Sequence, residues 1–427
     1  MGKCPQCHAW NSLEQVVASK PSQRGTGQEP IRLTDVIENH GGEVRLKTGF
    51  GELDTLLGGG LVSGSLTLIG GDPGVGKSTL LLMVAGAFAQ RGLPVLYASG
   101  EESAQQIQLR AKRLGIHSDA LYLLPTAQFE DVESAAKRIS PVLVIVDSVQ
   151  TVSVQHAQGH AGSVGQVRAV AHQAMVFAKK SNIATFLVGH ITKSGDLAGP
   201  KIMEHFVDTV LYFEGDGKTT LRGLRTVKNR FGAAGELGFF EMSESGLIEV
   251  SDASGRLLEE STPGVPGTAV VATIEGSRPL LAEIQALVGP PGNHSPARTC
   301  VGADRSRLLM ILAVLQKHGI NVHDRNVFVN VTGGLQISEP AADLAIALAI
   351  HSSYSDHAVP EGYLVLGEVG LVGEIRSVSQ PMLRMKEAAR YGFKTALTHK
   401  NAADLDQSFL NVVGVRSFKE VLEHLFS

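Results

Sequence analysis

The stretch Gly71-Asp72-Pro73-Gly74-Val75-Gly76-Lys77-Ser78 decides how this chain is read. It fits the pattern G-x-x-x-x-G-K-[ST] of a phosphate-binding loop. Ahead of it, Ser65-Leu66-Thr67-Leu68-Ile69-Gly70 is an apolar run that predicts a buried strand. Behind it, Thr79-Leu80-Leu81-Leu82-Met83-Val84-Ala85-Gly86-Ala87-Phe88 predicts a helix. That strand–loop–helix context separates a working motif from a chance glycine-rich turn. The glycines let backbone N–H groups turn inward as an anion nest, and the helix N-terminus adds its positive end. On this reading Gly71, Asp72, Pro73, Gly74, Val75, Gly76, Lys77, Ser78 and Thr79 surround the phosphates of ATP. Lys77 reaches the outer phosphates, and the Ser78 hydroxyl binds Mg²⁺.

Further short apolar runs frame the loop. Val95-Leu96-Tyr97-Ala98-Ser99 reads as a strand that ends in Gly100-Glu101-Glu102. Pro141-Val142-Leu143-Val144-Ile145-Val146-Asp147-Ser148 is a strand closed by an acid, and Asp147 is expected to hold Mg²⁺ through water. Ala184-Thr185-Phe186-Leu187-Val188-Gly189-His190 is another buried strand. Short apolar strands alternating with helical stretches predict an α/β fold with a parallel sheet covered on both faces. Sites in such sheets lie at the carboxyl ends of strands. Glu101, Asp147 and His190 all occupy such ends, so they should meet in one crevice.

Hydrolysis needs a group that orients and polarises the attacking water. Glu101 is the first candidate and Glu102 the second. Capping of the next helix is the competing use of either acid. His190 is a candidate sensor of the γ-phosphate, with a buried structural histidine as the alternative.

Composition agrees with a globular chain of more than one domain. The 427 residues suggest roughly two or three domains. Hydrophobic residues make up 43% and charged residues 19%, enough for sizeable cores. A net charge of -4 neither requires nor excludes nucleic acid, because a locally basic channel can bind a polyanion inside an acidic protein. No apolar stretch is long enough to span a membrane, and no signal peptide pattern is present. Three cysteines do not make a disulfide framework, which points to the cytoplasm. Cys4-Pro5-Gln6-Cys7 is half of a zinc site, since structural zinc takes four ligands. Residues 18–30 are polar with Gly and Pro and read as a linker.

Together, Thr48-Gly49-Phe50-Gly51-Glu52-Leu53-Asp54, the phosphate loop, Ser99-Gly100-Glu101-Glu102-Ser103 and Lys228-Asn229-Arg230-Phe231-Gly232 resemble the bacterial RadA/Sms recombination proteins. The resemblance covers nearly the whole chain, and the Lys-Asn-Arg-Phe-Gly pentapeptide is its most specific local mark. It implies a RecA-like ATPase core over 31–262. It further implies single-stranded and branched DNA and a RecA-type recombinase as partners, and a homo-oligomer, expected to be a hexameric ring. The family begins with a four-Cys zinc ribbon. Cys4 and Cys7, followed by Ala9-Trp10-Asn11, match its second pair, so residues 1–30 read as a partial ribbon and linker with Zn²⁺ in question. In related ring ATPases a Lys and an Arg two apart reach the neighbour's nucleotide. The resemblance gives that role to Lys228 and Arg230, where charge on the transferring phosphoryl group needs stabilising. A solvated basic turn is the alternative.

Two stretches that follow core strands are candidate DNA contacts, Val152 to Arg168 and Lys193 to His205. Gly-rich segments with sparse Lys and Arg suit sequence-independent tracking of a backbone. The alternative is mobile surface.

Beyond Thr262-Pro263-Gly264-Val265-Pro266-Gly267 the composition marks a boundary. The motifs Asn326 to Val331, Pro340-Ala341-Ala342-Asp343, Gly367 to Ile375 and Gly392-Phe393-Lys394-Thr395 are similar to the Lon protease domain. Residues 263–427 therefore read as an α+β Lon-protease-like domain. The family cleaves with a Ser–Lys dyad. Ala341 stands at the nucleophile position and Met382 at the lysine position, and neither a methyl nor a thioether can do that chemistry. Arg305, Arg307, Lys317, Arg384, Lys386 and Arg390 are candidates for a basic surface facing DNA.

These readings leave an ATP-driven DNA motor that processes recombination intermediates by branch migration as the expected function. An ATP-dependent protease of Lon type and a KaiC-like signalling ATPase are the competing readings.

Overall fold

The computed structural model describes residues 45–190, 203–215, 220–259, 261–262, 264–292, 295–402 and 409–426. Cys4, Cys7, the linker and Lys193 to Lys201 lie outside the described residues.

The described chain opens with a short antiparallel ribbon, β1 (Arg45–Leu46) and β2 (Leu61–Val62), which brackets helix α1 (Gly51–Leu56). Strands and helices then alternate: β3 (Leu66–Gly71), α2 (Lys77–Gln90), β4 (Val95–Ser99), α3 (Ala104–Arg113), β5 (Leu121–Pro125), α4 (Phe129–Ile139), β6 (Leu143–Asp147), α5 (Val164–Ser181) and β7 (Ala184–His190). Next come β8 (Thr209–Glu214), β9 (Leu221–Asn229), β10 (Leu237–Ser243) and β11 (Gly246–Glu249). All join one nine-stranded sheet in the order β11-β10-β9-β8-β3-β7-β6-β4-β5. From β8 to β5 every neighbouring pair is parallel. From β8 outward to β11 the pairs are antiparallel.

The central strands are buried along their whole length, as the unbroken apolar runs predict. Leu53, Leu80, Leu81, Val84 and Phe88 pack on one face with α3's Ile107. Phe129, Val132, Val167, Val170 and Ala174 of α4 and α5 pack on the other. Covering both faces is what a parallel sheet needs, because its strands have no polar side to show to water.

A second sheet follows α6 (Ala253–Leu258). It contains β12 (Thr268–Glu275), β13 (Arg278–Pro291), β14 (Arg298–Val301), β15 (Arg325–Val331), β16 (Tyr363–Val365), β19 (Thr395–His399) and β20 (Asn411–Val415) in the order β14-β15-β13-β12-β16-β19-β20. A small hairpin, β17 (Glu368–Val369) with β18 (Ile375–Arg376), stands apart from it. Helices α7 (Arg305–Lys317), α8 (Asp343–Ser355), α9 (Pro381–Arg390) and α10 (Phe418–Phe426) complete this half. Parallel and antiparallel pairs mix here, giving the α+β arrangement expected of the carboxy-terminal part. Its core takes in Leu237, Phe239, Ala253 and Leu257 from before residue 262.

The turn between β12 and β13 locks onto the first sheet. Glu275 accepts from Arg225 at 2.7 Å, Ser277 donates to Glu236 at 2.9 Å, and Arg278 donates twice to Glu52 at 2.7 and 3.1 Å. Between them Gly276 has φ +63°, and a Cβ there would stand 2.7 Å from the Glu236 Cα, so the contact requires glycine.

Of the basic residues expected on a DNA-facing surface, one is buried and another is tied to a buried carboxylate. Arg384 is 0% exposed and makes a two-pronged pair with Glu339 at 2.6 and 2.6 Å, plus a bond to the Ala272 carbonyl at 2.5 Å. Arg307 is forked onto the buried carboxylate of Asp343. Arg384 is buried on its helix and Arg307 is half-buried on its own, and a buried cation is kept only with a partner. Arg305, Lys317, Lys386 and Arg390 are exposed.

Candidate nucleotide site

The sheet register brings the sequence-predicted residues to one edge. Gly71 at the end of β3 pairs with His190 at the end of β7 and with Phe213 of β8. Ser99 at the end of β4 pairs with Asp147 at the end of β6. Four strand ends thus open on the phosphate loop.

The loop turns through glycines. Gly76, with φ +121°, is the N-cap of α2 and provides no side-chain cap, so the first N–H groups of the helix stay available to an anion. The backbone conformation at φ +121° is what favours glycine there, since the Met242 Cε that a Cβ would approach at 2.9 Å is the movable end of a flexible side chain. A Cβ on Gly74 would meet nothing within 4 Å, which leaves open space above the loop.

Lys77 is 3% exposed, and its ammonium folds back onto the carbonyls of Gly71 at 2.7 Å and Asp72 at 2.9 Å. Burial lowers its pKa, while Asp147, Asp72 and Glu101 pull in the opposite direction. Asp147 is 4% exposed and accepts from the Tyr97 hydroxyl at 2.6 Å. Burial first, and then that carboxylate, raise the Tyr97 pKa well above its usual value. Glu101 accepts from the Ser148 hydroxyl at 2.5 Å, and its Oε1 lies 3.1 Å from His190 Nε2. The bond to His190, then the bond to Ser148, push the Glu101 pKa down to about 2 against the opposing effect of burial.

The two neighbouring acids divide. Glu102 pairs with Arg110 of α3, and that pair lies close enough to act on the Tyr97 hydroxyl. Ser103 caps α3 in a capping box with Gln106. His190 is neither isolated nor simply a core residue, since it contacts Glu101. A hydroxyl on Ser78 and a carboxylate on Asp147 are hard oxygen donors, the set that suits Mg²⁺. With the open glycine cradle and the buried ammonium, these residues fit a magnesium–nucleoside triphosphate.

Lys228 and Arg230 lie at the other end of the sheet. Asn229 pairs with Thr209, which pairs with Thr67 in β3. Thr67 comes four residues before Gly71, a rise of about 13 Å at ~3.3 Å per residue. Lys228 donates to the carbonyls of Glu204 at 2.6 Å and Val207 at 2.8 Å. Arg230 is 58% exposed and pairs at 3.3 Å with Asp208. Asp208 also accepts from Lys179 at 2.9 Å and from the Leu66 N–H at 3.0 Å. Neither cation reaches its own chain's phosphate loop.

Of the stretch Val152 to Arg168, only the first part is a loop. Gln166 of α5 is buried and pins it through Val154, Ala157 and Gly159, so it is a packed turn rather than loose surface. Gln155, His156, Gln158 and His160 are exposed at its tip. Arg168 is exposed and stacks over Phe206 at 5.9 Å.

Two protein families match parts of the chain: an AAA domain over residues 29–196 and the subunit ChlI of Mg-chelatase over residues 297–401. A DNA repair protein RadA of Streptococcus pyogenes is 46% identical over 100% of this chain and 96% of its own. That of Pseudomonas aeruginosa is 46% identical over 100% and 95%. That of Bacillus subtilis is 44% identical over 99% and 94%. The chain belongs to the RadA family. This RadA-family chain is an ATPase, as its AAA domain and its relatives establish. A KaiC-like protein of Pyrococcus horikoshii is a structural neighbour at 19% identity and a TM-score of 0.41, covering 49% of this chain and 100% of its own.

Other features of the RadA-family chain bear on metals and membranes. Among the described residues no cluster of three or more His, Cys, Asp or Glu side chains could hold a metal ion. No described helix is long and apolar enough to cross a membrane. Tyr97 and Ser148 were not legible as site neighbours in the sequence, nor Asp208 as the partner of Arg230 at the far end of the sheet, because only strand register and side-chain direction bring these groups together. Ser148 alone carried a signal, its place directly after Asp147.

Proposed function

We propose that this RadA-family protein is an ATP-driven DNA motor of recombination and repair, one that moves along single-stranded and branched DNA and processes recombination intermediates by branch migration. The observation that carries the reading is the cluster of Glu101, Ser148 and His190 on the same sheet edge as Lys77 and Asp147. Its relatives are named DNA repair proteins, which supports a DNA substrate. We further propose a RecA-type recombinase as partner, a hexameric ring as the assembly and the cytoplasm as the compartment. Zn²⁺ at Cys4 and Cys7 is part of the same proposal and depends on ligands from elsewhere. We keep the division into 1–30, 31–262 and 263–427 as the proposed domain scheme; the two separate sheets support parting the last two, although the second core draws on Leu237, Phe239, Ala253 and Leu257.

The roles follow from the geometry. Gly71 to Thr79 bind phosphate through backbone N–H groups. Lys77 exchanges its bonds to the Gly71 and Asp72 carbonyls for phosphate oxygens. The hydroxyl of Ser78 and, through water, the carboxylate of Asp147 would hold Mg²⁺, which supplies positive charge to the transferring phosphoryl oxygens. Glu101 is ionised and aimed by two hydrogen bonds, so it orients the attacking water and takes its proton. His190 senses the γ-phosphate through its contact with Glu101. Lys228 and Arg230, too far to serve their own loop, act on the nucleotide of a neighbouring subunit, where added positive charge stabilises the transition state.

The Lon-type protease reading finds no chemistry to carry it. Ala341 is buried in a 3-10 turn, and Met382 packs against the core. The test of the proposal is ATP hydrolysis with and without single-stranded DNA. DNA-stimulated turnover is the expected result. Turnover indifferent to DNA of any structure would overturn the motor.

A further inference from the structure

We infer that Tyr97 is a positioning residue for the magnesium-binding carboxylate, holding Asp147 so that one of its oxygens is committed to the protein and the other is left to the metal's water. The inference rests on the nucleotide-site reading above and adds a residue that neither the phosphate-loop motif nor the strand-closing acid points to.

The placement is set by register. In the parallel pair β4–β6, Tyr97 lies opposite Ile145 and Ser99 lies opposite Asp147. Side chains alternate along a strand, so Tyr97 is on the same face as Asp147 and one pleat deeper. Its side chain is 0% exposed and belongs to the same core as Leu80, Val84, Ile107 and Ile145, with the Glu102–Arg110 pair nearby. From there the hydroxyl reaches the sheet edge and donates to Asp147 Oδ2 at 2.6 Å.

Two physical points give this bond a function. An apolar pocket that needed only a ring would be filled by phenylalanine at no polar cost, whereas a buried phenol demands a partner. The torsion that orients a carboxylate plane is also broad and soft, so an aspartate at a strand end needs an external constraint to present one oxygen in a fixed direction. Backbone register fixes where the Asp147 Cβ sits. Tyr97 fixes how its carboxylate faces. Outer partners of this kind typically change metal affinity by about 10–100-fold when lost.

The experiment uses the full chain with Mn²⁺ as probe. Tyr97→Phe and Tyr97→Met both remove the hydroxyl while keeping an apolar filler, and melting curves identify the variants folded at the assay temperature. ADP affinity is measured in EDTA, and free Mn²⁺ is titrated into the ADP complex by electron paramagnetic resonance. The expected result is unchanged ADP affinity without metal and an Mn²⁺ affinity about 10–100-fold weaker in whichever variant is folded. A folded variant that binds Mn²⁺ as the wild type does overturns the proposal. A purely structural role lowers the melting midpoint without moving metal affinity, and that result overturns it too. If the wild-type chain fails to bind ADP at all, the nucleotide-site reading itself falls, an outcome the EDTA arm separates from failure of Tyr97 alone.

Discussion

His190 Nε2 lies 3.1 Å from Glu101 Oε1, joining the last residue of β7 to a carboxylate just beyond β4 across the mouth of the site. Ser148, next to Asp147, donates to the same oxygen at 2.5 Å. One oxygen of a carboxylate just beyond β4 is thus held from the ends of β7 and β6, and β6 lies between β7 and β4 in the sheet.

The first prediction concerns pH. The folded Glu101 pKa, about 2, is depressed below its usual 4.5, and the bond to His190 is the first cause. A depressed acid stays ionised above its ordinary value and loses its charge only as pH falls through the folded value. Wild-type kcat should therefore show no carboxylate inflection near 4.5 from Glu101. His190→Ala removes the main stabiliser of the charge, so the acid limb should move up toward 4.5. Superimposable kcat–pH profiles for the two proteins would count against the coupling.

Lys77→Ala should reduce ATP turnover by at least about 10²–10³-fold, the usual effect of removing a donor aimed at developing charge. The fold should persist, because Lys77 packs on the loop through two bonds to the Gly71 and Asp72 carbonyls and the sheet's own ladder holds β3. Steady-state hydrolysis and circular dichroism test both halves. Undiminished turnover would place the nucleotide elsewhere.

Arg230→Ala should spare nucleotide binding and lose about 10³-fold or more in turnover, the scale of an arginine finger. Arg230 is mostly exposed and, among the described residues, its side chain pairs with Asp208, so stability should change little. Mixing Arg230→Ala with Lys77→Ala chains should restore part of the activity, since some interfaces then carry an intact loop facing an intact finger. No recovery on mixing would argue against action between subunits.

Arg384→Ala should destabilise the carboxy-terminal half by about 3–5 kcal/mol, because it strands the Glu339 carboxylate. Arg390→Ala, on the same helix but 62% exposed at its side chain, should stay within about 0.5 kcal/mol. Urea unfolding of both variants gives the comparison. Equal stabilities would mean that the Arg384–Glu339 pair is dispensable.

No peptidase activity on unfolded casein should appear, with or without ATP. Ala341 has no nucleophilic oxygen, and its carbonyl is occupied by the Gly367 N–H at 3.0 Å. Cleavage that persists through purification to homogeneity would revive the protease reading.

Much of the first sheet was legible from local pattern. The strands around residues 66, 95, 143 and 184 appeared as unbroken apolar runs because each is buried on both faces. The antiparallel extension β9 to β11 was not assigned, since half-buried strands such as Leu221–Asn229 show weaker runs. Arg307 and Arg384 looked like surface cations because a helix face has no sign of inside or outside until its neighbours are known. Their carboxylate partners come from Asp343 and Glu339, 36 and 45 residues away.

By itself the sequence determined the phosphate loop, the acid that closes β6 and the doubly covered parallel sheet. Each is a local pattern: a spacing, a run or a single residue at its end. Only the tertiary structure decided which of two adjacent acids faces the site, that Tyr97 reaches Asp147, that Gly276 seats the second half against the first, and that Lys228 and Arg230 stand at the wrong end of the sheet to serve their own loop. Those are relations between residues far apart in the chain. Strand order and register create them, and neither is written in any local window.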